Sequence, residues 1–321
     1  MLKLMRIPVI FLSALTLIAL TVMSTQAQGL KIAVIPKGTT HVFWKAVEAG
    51  ARAADKELGV EIVWKGPIKE NDRAQQIAIV EQFIAEGVSG IVLAPLDHVA
   101  LKRPVASAMD KKIPVVIFDS GLDGEAGKDF VSFVATNNTK GGTIGGERLV
   151  QLLGGKGKIV LLRYQVGSAS TTDREEGFLN VIRQQKEMQV IVDNRYSGPT
   201  AGDAKTASMN LLDKLKEADG IFCPNEGSTF GMLLALRESN LAGKKKFVGF
   251  DASPQLVEAL NNGEIGALVA QDPSRMGYEA VKTLVDHIHG ADVPKAVDTG
   301  VHLIARENLS DPDIRKLLDL K

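Results

Sequence analysis

Residues 31–59 read KIAVIPKGTTHVFWKAVEAGARAADKELG, and the fold follows from this stretch. The apolar run 32–35 is too short for a helix and is closed by Pro36. A loop of Lys37, Gly38, Thr39, Thr40 and His41 follows. Val42, Ala46, Ala49, Ala53 and Leu58 then recur at helical spacing, with charges between them, up to a stop at Gly59. The next apolar run, 60–64, completes a β-α-β unit. In parallel α/β sheets, the loop at a strand's carboxyl end borders the ligand crevice. Here that loop carries a cation, hydroxyls and an imidazole, and the aromatics Phe43 and Trp44 come next. Flat rings beside hydrogen-bonding groups suit a small polar ligand with C–H faces. The alternative is that both rings pack under the sheet.

Outward from this unit the alternation continues. Strands are expected at 31–36, 60–64, 90–94, 114–118 and 130–135, with helices at 42–58, 70–87, 98–112 and 139–153. After Gly154-Gly155 it restarts. Strands are expected near 158–163, 189–193, 219–223, 246–250 and 265–270, and helices near 172–187, 202–217, 227–240, 254–261 and 275–289. A last strand is expected around 297–304, before a tail helix opening at Ser310-Asp311-Pro312. Such alternation predicts an α/β fold with parallel sheets covered on both faces. A weak repeat adds to this: residues 90–120 and 220–252 each open a strand with Gly-Ile and end a later one with Phe-Asp. Gly90 to Asp119 spans 29 residues and Gly220 to Asp251 spans 31. Two copies of one unit imply two similar lobes, although β-α-β units share composition and can align by chance.

The chain of 321 residues is long enough for two domains, each with its own core. Lys plus Arg (38) balance Asp plus Glu (38), so no net field draws in nucleic acid or an acidic membrane. At the amino terminus, Lys3 and Arg6 precede an apolar run over 9–23, and Thr25-Gln26-Ala27 offers small residues for cleavage. That pattern predicts a signal peptide over 1–27 and export to the periplasm; an uncleaved anchor helix is the rival reading. The lone Cys223 can form no internal disulfide.

Asp119 and Asp251 each follow an apolar strand at its carboxyl end, where a carboxylate can accept from two adjacent hydroxyls. A turn or cap role is the alternative, although Ser253-Pro254 already supplies a helix start after Asp251. Arg174 opens a helix and offers a fork of donors to ring and hydroxyl oxygens, or else pairs with Asp173 or Glu175. Asn225 and Gln271 stand just past strands, where an amide can both donate and accept or can simply close a turn. Enzyme signatures fail. No G-x-G-x-x-G follows a strand, there is no P-loop and no G-x-S-x-G, and Gly141-Gly142 and Gly145-Gly146 fall inside a helical pattern suited to close packing. His287 and His289 are two apart on a helix and form no metal pair.

The first loop with Phe43-Trp44, the IPVVIFD segment 113–119, Asp173-Arg174 before Gly177-Phe178, Asn225-Glu226, the VGFD segment 248–251 and Ala270-Gln271 together resemble type I periplasmic sugar-binding proteins of ABC transporters. The ribose-binding branch is nearest. The resemblance implies two Rossmann-like lobes, with three hinge crossovers near Thr136, Gln271-Asp272 and Asp298. Residues 30–135 plus 272–297 would form one lobe, and 137–270 plus 299–321 the other. It further implies a pentose or related polyol in the cleft, delivery to an ABC permease, and no cofactor or catalysis. Ligand contacts would fall on Phe43, Trp44, Asp119, Arg174, Asn225, Asp251 and Gln271. Lys37 and His41 depart from the small polar side chains of the ribose binders. Together with Ile35-Pro36-Lys37, Trp64-Lys65-Gly66-Pro67 and Asp173, they look more like the autoinducer-2 receptor branch, so Lys37, His41 and Asp173 join the candidate site. A receptor for autoinducer-2, or one that signals to a chemoreceptor, stays open as the alternative. A repressor of this fold would need an amino-terminal helix-turn-helix where the signal peptide stands.

Overall fold

The strand over Lys31–Ile35 (β1) sends Ile32 and Val34 into one apolar cluster and Ala33 and Ile35 into another. Strand side chains alternate in facing, so a strand covered on both sides has to be apolar throughout. The computed structural model describes residues 29–319, so the expected signal peptide lies outside the described residues. Around β1 lie β2 (Glu61–Trp64), β3 (Gly90–Leu93), β4 (Val115–Phe118) and β5 (Ser132–Ala135). The second half supplies β6 (Lys156–Arg163), β7 (Glu187–Tyr196), β8 (Gly220–Phe222), β9 (Lys246–Phe250) and β10 (Ala267–Gln271). The chain ends with β11 (Ala296–Asp298) and β12 (Val301–Ile304). Among the described residues two six-stranded sheets result, ordered β11-β5-β4-β3-β1-β2 and β12-β10-β9-β8-β6-β7. All pairings are parallel except that of β12 with β10. This is the fold of the type I periplasmic binding proteins.

The helices that cover the sheets are α1 (Val42–Leu58), α2 (Arg73–Glu86), α3 (Lys102–Asp110), α4 (Asn138–Leu153), α5 (Ala169–Ile182) and α6 (Ala201–Met209). They continue with α7 (Leu212–Glu217), α8 (Glu226–Glu238), α9 (Pro254–Asn261), α10 (Pro273–Ile288) and α11 (Pro312–Leu317). The glycines of α4 do allow close packing. A Cβ on Gly142 would run into the Arg174 carbonyl oxygen of α5, so the two helices touch backbone to backbone.

Two expectations need correcting. The single strand expected around 297–304 is two strands in different sheets, because the chain turns at Gly300 with φ +90 and the Asp298 carboxylate accepts from the Gly300 N–H. The helix expected over 202–217 is broken at Asn210-Leu211, where Leu211 leaves helical geometry. The chain therefore passes between the sheets after β5, after β10 and after β11.

Candidate sugar-binding site

Strands β4 and β9 deliver Asp119 and Asp251, and both aspartates sit in the left-handed region, with φ 60 and 67. A non-glycine residue enters that region at a cost, and aspartate tolerates it better than most. In each case the backbone N–H still reaches the adjacent strand, Asp119 to the Val134 carbonyl at 3.1 Å and Asp251 to the Val269 carbonyl at 2.8 Å. The matched geometry turns both carboxylates into one cavity between the sheets, about 300 Å³ of atom-free space.

Nine of the ten expected residues line this cavity: Lys37, His41, Phe43, Trp44, Asp119, Arg174, Asn225, Asp251 and Gln271. Asp173 does not. It is exposed, because one step along α5 turns its side chain away from the face that carries Arg174. Glu70, Tyr164, Ser170 and Thr171 complete the lining and were not anticipated. Tyr164 is the first residue past β6, so the strand-end rule that found Asp119 would have found it too. Glu70 lies in the irregular stretch after β2, and no local pattern marks it. Both readings of the aromatic pair hold at once for Trp44, which is 3% exposed in the core cluster yet borders the cavity. Phe43 meets it edge-on, with centroids 5.0 Å apart.

Hydrogen bonds run almost unbroken around the cavity. Arg174 donates to Asn138 Oδ1 (2.8 Å), to the Pro224 carbonyl (3.0 Å) and to Gln271 Oε1 (2.8 Å), and its guanidinium lies 4.0 Å over the Phe250 ring. Gln271 Nε2 donates to Asp251 Oδ1 at 2.8 Å, and the Glu226 N–H donates to Asp251 Oδ2 at 2.8 Å. On the opposite wall, Lys37 Nζ stands 3.3 Å from Asp119 Oδ2 and donates to Ser168 and Ser170 at 3.2 and 2.9 Å. Asn225 caps α8, its Oδ1 accepting from Ser228, while its side chain also bonds the Tyr164 hydroxyl on the cavity wall. Such a wall holds its polar atoms in place before any ligand arrives.

Residues 32–292 match the periplasmic binding protein domain. The chain belongs to the periplasmic binding protein family. It is 28% identical over 298 residues to the ribose import binding protein RbsB of Haemophilus influenzae, covering 92% of this chain and 98% of that one. A carbohydrate transporter solute-binding protein from Agrobacterium radiobacter, solved with D-arabinose, superposes with a TM-score of 0.86 at 34% identity, covering 91% of this chain and 99% of that one. An ABC transporter solute-binding protein from Agrobacterium vitis, solved with D-fucose, gives 0.86 at 33% identity, with 90% and 99% covered. The family works outside the cytoplasmic membrane in solute transport, not in catalysis.

In this periplasmic binding protein, the cations of the cavity are already matched by anions. His41 Nδ1 lies 3.0 Å from Glu70 Oε1, and His41 Nε2 lies 3.2 Å from the Pro199 carbonyl, so the imidazolium satisfies an acceptor on each side. Burial alone would lower the His41 pKa, but Glu70, with Glu226 and Asp251 behind it, raises it to about 9. Burial works against the Glu70 charge too, yet His41, Lys37 and the Trp44 N–H hold that carboxyl at about 2. Trp44 and Tyr164 donate to Glu70 at 2.7 and 3.0 Å. Burial pushes the Asp251 carboxyl upward, against the pull of Arg174 and Gln271.

Proposed function

We propose that the chain captures one neutral monosaccharide, a pentose or a deoxyhexose of similar size, and presents it to the permease of an ABC importer. The observation that carries this reading is charge balance in a small polar cavity. Lys37, His41 and Arg174 face Glu70, Asp119 and Asp251, three charges of each sign. An acidic sugar or a phosphate ester would need a cation left over, and each of these three already has partners. Carboxylates, amides and a guanidinium fit ring hydroxyls, and the Phe43 ring offers an apolar face to C–H groups. The sugars bound by the two Agrobacterium proteins support the size class. The autoinducer-2 alternative loses its residue support, since Lys37 is satisfied by Asp119 and two serines and Asp173 lies outside the cavity.

In this reading residues 30–135 plus 272–297 move as one lobe and residues 137–270 plus 299–321 as the other, rotating at the three crossovers. A ligand that touches both lobes favours closure by its differential affinity for the closed form. The charged start and apolar run of residues 1–23 support export, with cleavage before Gln28. Titration calorimetry with D-ribose, D-arabinose, D-fucose, D-glucose, D-galacturonate and autoinducer-2 tests the proposal. Tightest binding by a neutral pentose or deoxyhexose, one per chain, is expected. Tightest binding by galacturonate or autoinducer-2 would overturn it.

A further inference from the structure

Helix α1 begins without a cap of its own. His41 at its N-cap makes no side-chain capping bond, and no acidic residue stands in its first turn. The first N–H groups of a helix have no partner within it and need an acceptor from elsewhere. Here the acceptor comes from the other sheet. Glu226, the first residue of α8, accepts from the Val42 N–H through Oε1 at 3.2 Å and from the Phe43 N–H through Oε2 at 2.8 Å. The backbone N–H of the same residue donates to Asp251 Oδ2 at 2.8 Å. Phe43 and Asp251 both line the cavity, and Glu226 does not.

We propose that Glu226 is a positioning residue for sugar capture: it caps α1 from across the cleft, so that closing the lobes completes a helix and fixes Phe43 and Asp251 against the ligand. A carboxylate with two oxygens matches two adjacent orphan N–H groups and carries the charge that a helix amino terminus favours. Because α1 packs on the first sheet and α8 on the second, the cap exists only while the lobes are together. It acts after the sugar has entered. Its loss therefore speeds release and leaves entry alone.

The test uses the full mature chain, wild type, Glu226→Ala and Glu226→Gln, with D-arabinose or D-fucose, whichever binds wild type more tightly. The probe and the closing of the lobes rest on the sugar-binding reading above. Stopped-flow measurement should show Glu226→Ala releasing the sugar roughly tenfold to a hundredfold faster, the scale of a lost hydrogen bond to a charged group, with the association rate unchanged. Glu226→Gln keeps one acceptor oxygen but loses the charge and sets an amide NH2 against the other N–H, so it should recover only part of the loss. An unchanged release rate in Glu226→Ala overturns the proposal, and so does an Ala variant whose only defect is a lower ligand-free melting temperature. If wild type binds neither sugar, the sugar reading fails separately, and amide hydrogen exchange decides the cap. Val42 and Phe43 amides protected about tenfold more in wild type than in Glu226→Ala support it, and equal exchange overturns it.

Discussion

Asp119 and Asp251 occupy matching places in two copies of one β-α-β unit, yet their carboxylates are held by different chemistry. An ammonium holds the first, Lys37 at 3.3 Å, while a side-chain amide and a backbone N–H hold the second, Gln271 and Glu226 at 2.8 Å each. The backbone repeats faithfully. Both aspartates are left-handed, and each half packs a glycine of one helix onto the backbone of another, Gly50 of α1 on Ser274 of α10 and Gly142 of α4 on Arg174 of α5. Sheet geometry thus fixes where a carboxylate sits, and the neighbours decide how it is charged and what it can accept.

The sharpest way to break the comparison is to remove the cation of the second half. Arg174 is buried, makes three hydrogen bonds and lies on Phe250. Arg174→Ala strips three buried acceptors of their donor and removes the positive charge that acts on the buried Asp251 carboxyl. Denaturant unfolding should show a loss of about 5 kcal/mol, the scale of several buried hydrogen bonds to a charged group lost together, and sugar binding should fall below detection. The matching change in the first half, Lys37→Ala, should cost about 3 kcal/mol, because it unpairs the one carboxylate of Asp119 and frees two serine hydroxyls that can turn to other partners, and it gives up no ring contact. A larger loss for Lys37→Ala than for Arg174→Ala would reverse the asymmetry drawn here.

A smaller effect belongs to pH. His41 is held at about 9 against its usual 6.5, and Glu70 at about 2 against its usual 4.5. The pair's stabilisation is complete between about 4.5 and 6.5, is lost as pH rises through 9 and the imidazolium deprotonates, and is lost again as pH falls through 2. Glu175, raised to about 7 by burial, also favours the lower-pH side of neutrality. The melting temperature should therefore fall from pH 6.5 to 9, and Glu70→Gln should flatten that fall. A melting curve of wild type that rises over this range would contradict the ion-pair assignment. Smallest of all is Asp173→Ala. Its side chain is exposed outside the cavity, so sugar affinity should change by no more than about twofold, read by calorimetry.

Much of this was legible because parallel sheets place function by a simple rule. Lys37, Asp119, Asn225, Asp251 and Gln271 all fall at or just past the end of a strand, and periodicity alone finds strand ends. Arg174 was legible from the resemblance and as a guanidinium in the first turns of a helix, although Asp173 and Glu175 beside it made an ordinary ion pair an equal reading. Asp173, its neighbour, was misplaced because resemblance supplies the residue but not the direction in which a helix points it. Glu70 was hidden for a different reason. Its place among His41, Trp44 and Tyr164 joins three distant segments, and its charge reads in the sequence as ordinary loop solvation. The division of the last strand between two sheets was likewise beyond a local pattern, since alternation cannot say which sheet a strand joins.

In the proposed function, two carboxylates, one from each sheet, grip one neutral sugar. Titration calorimetry of wild type, Asp119→Ala and Asp251→Ala with the tightest-binding neutral monosaccharide tests it most directly. One sugar per wild-type chain is expected, with each variant folded by circular dichroism and weakened by roughly tenfold to a few hundredfold, the scale of a lost charged hydrogen bond. Full-strength binding by both variants would contradict the account.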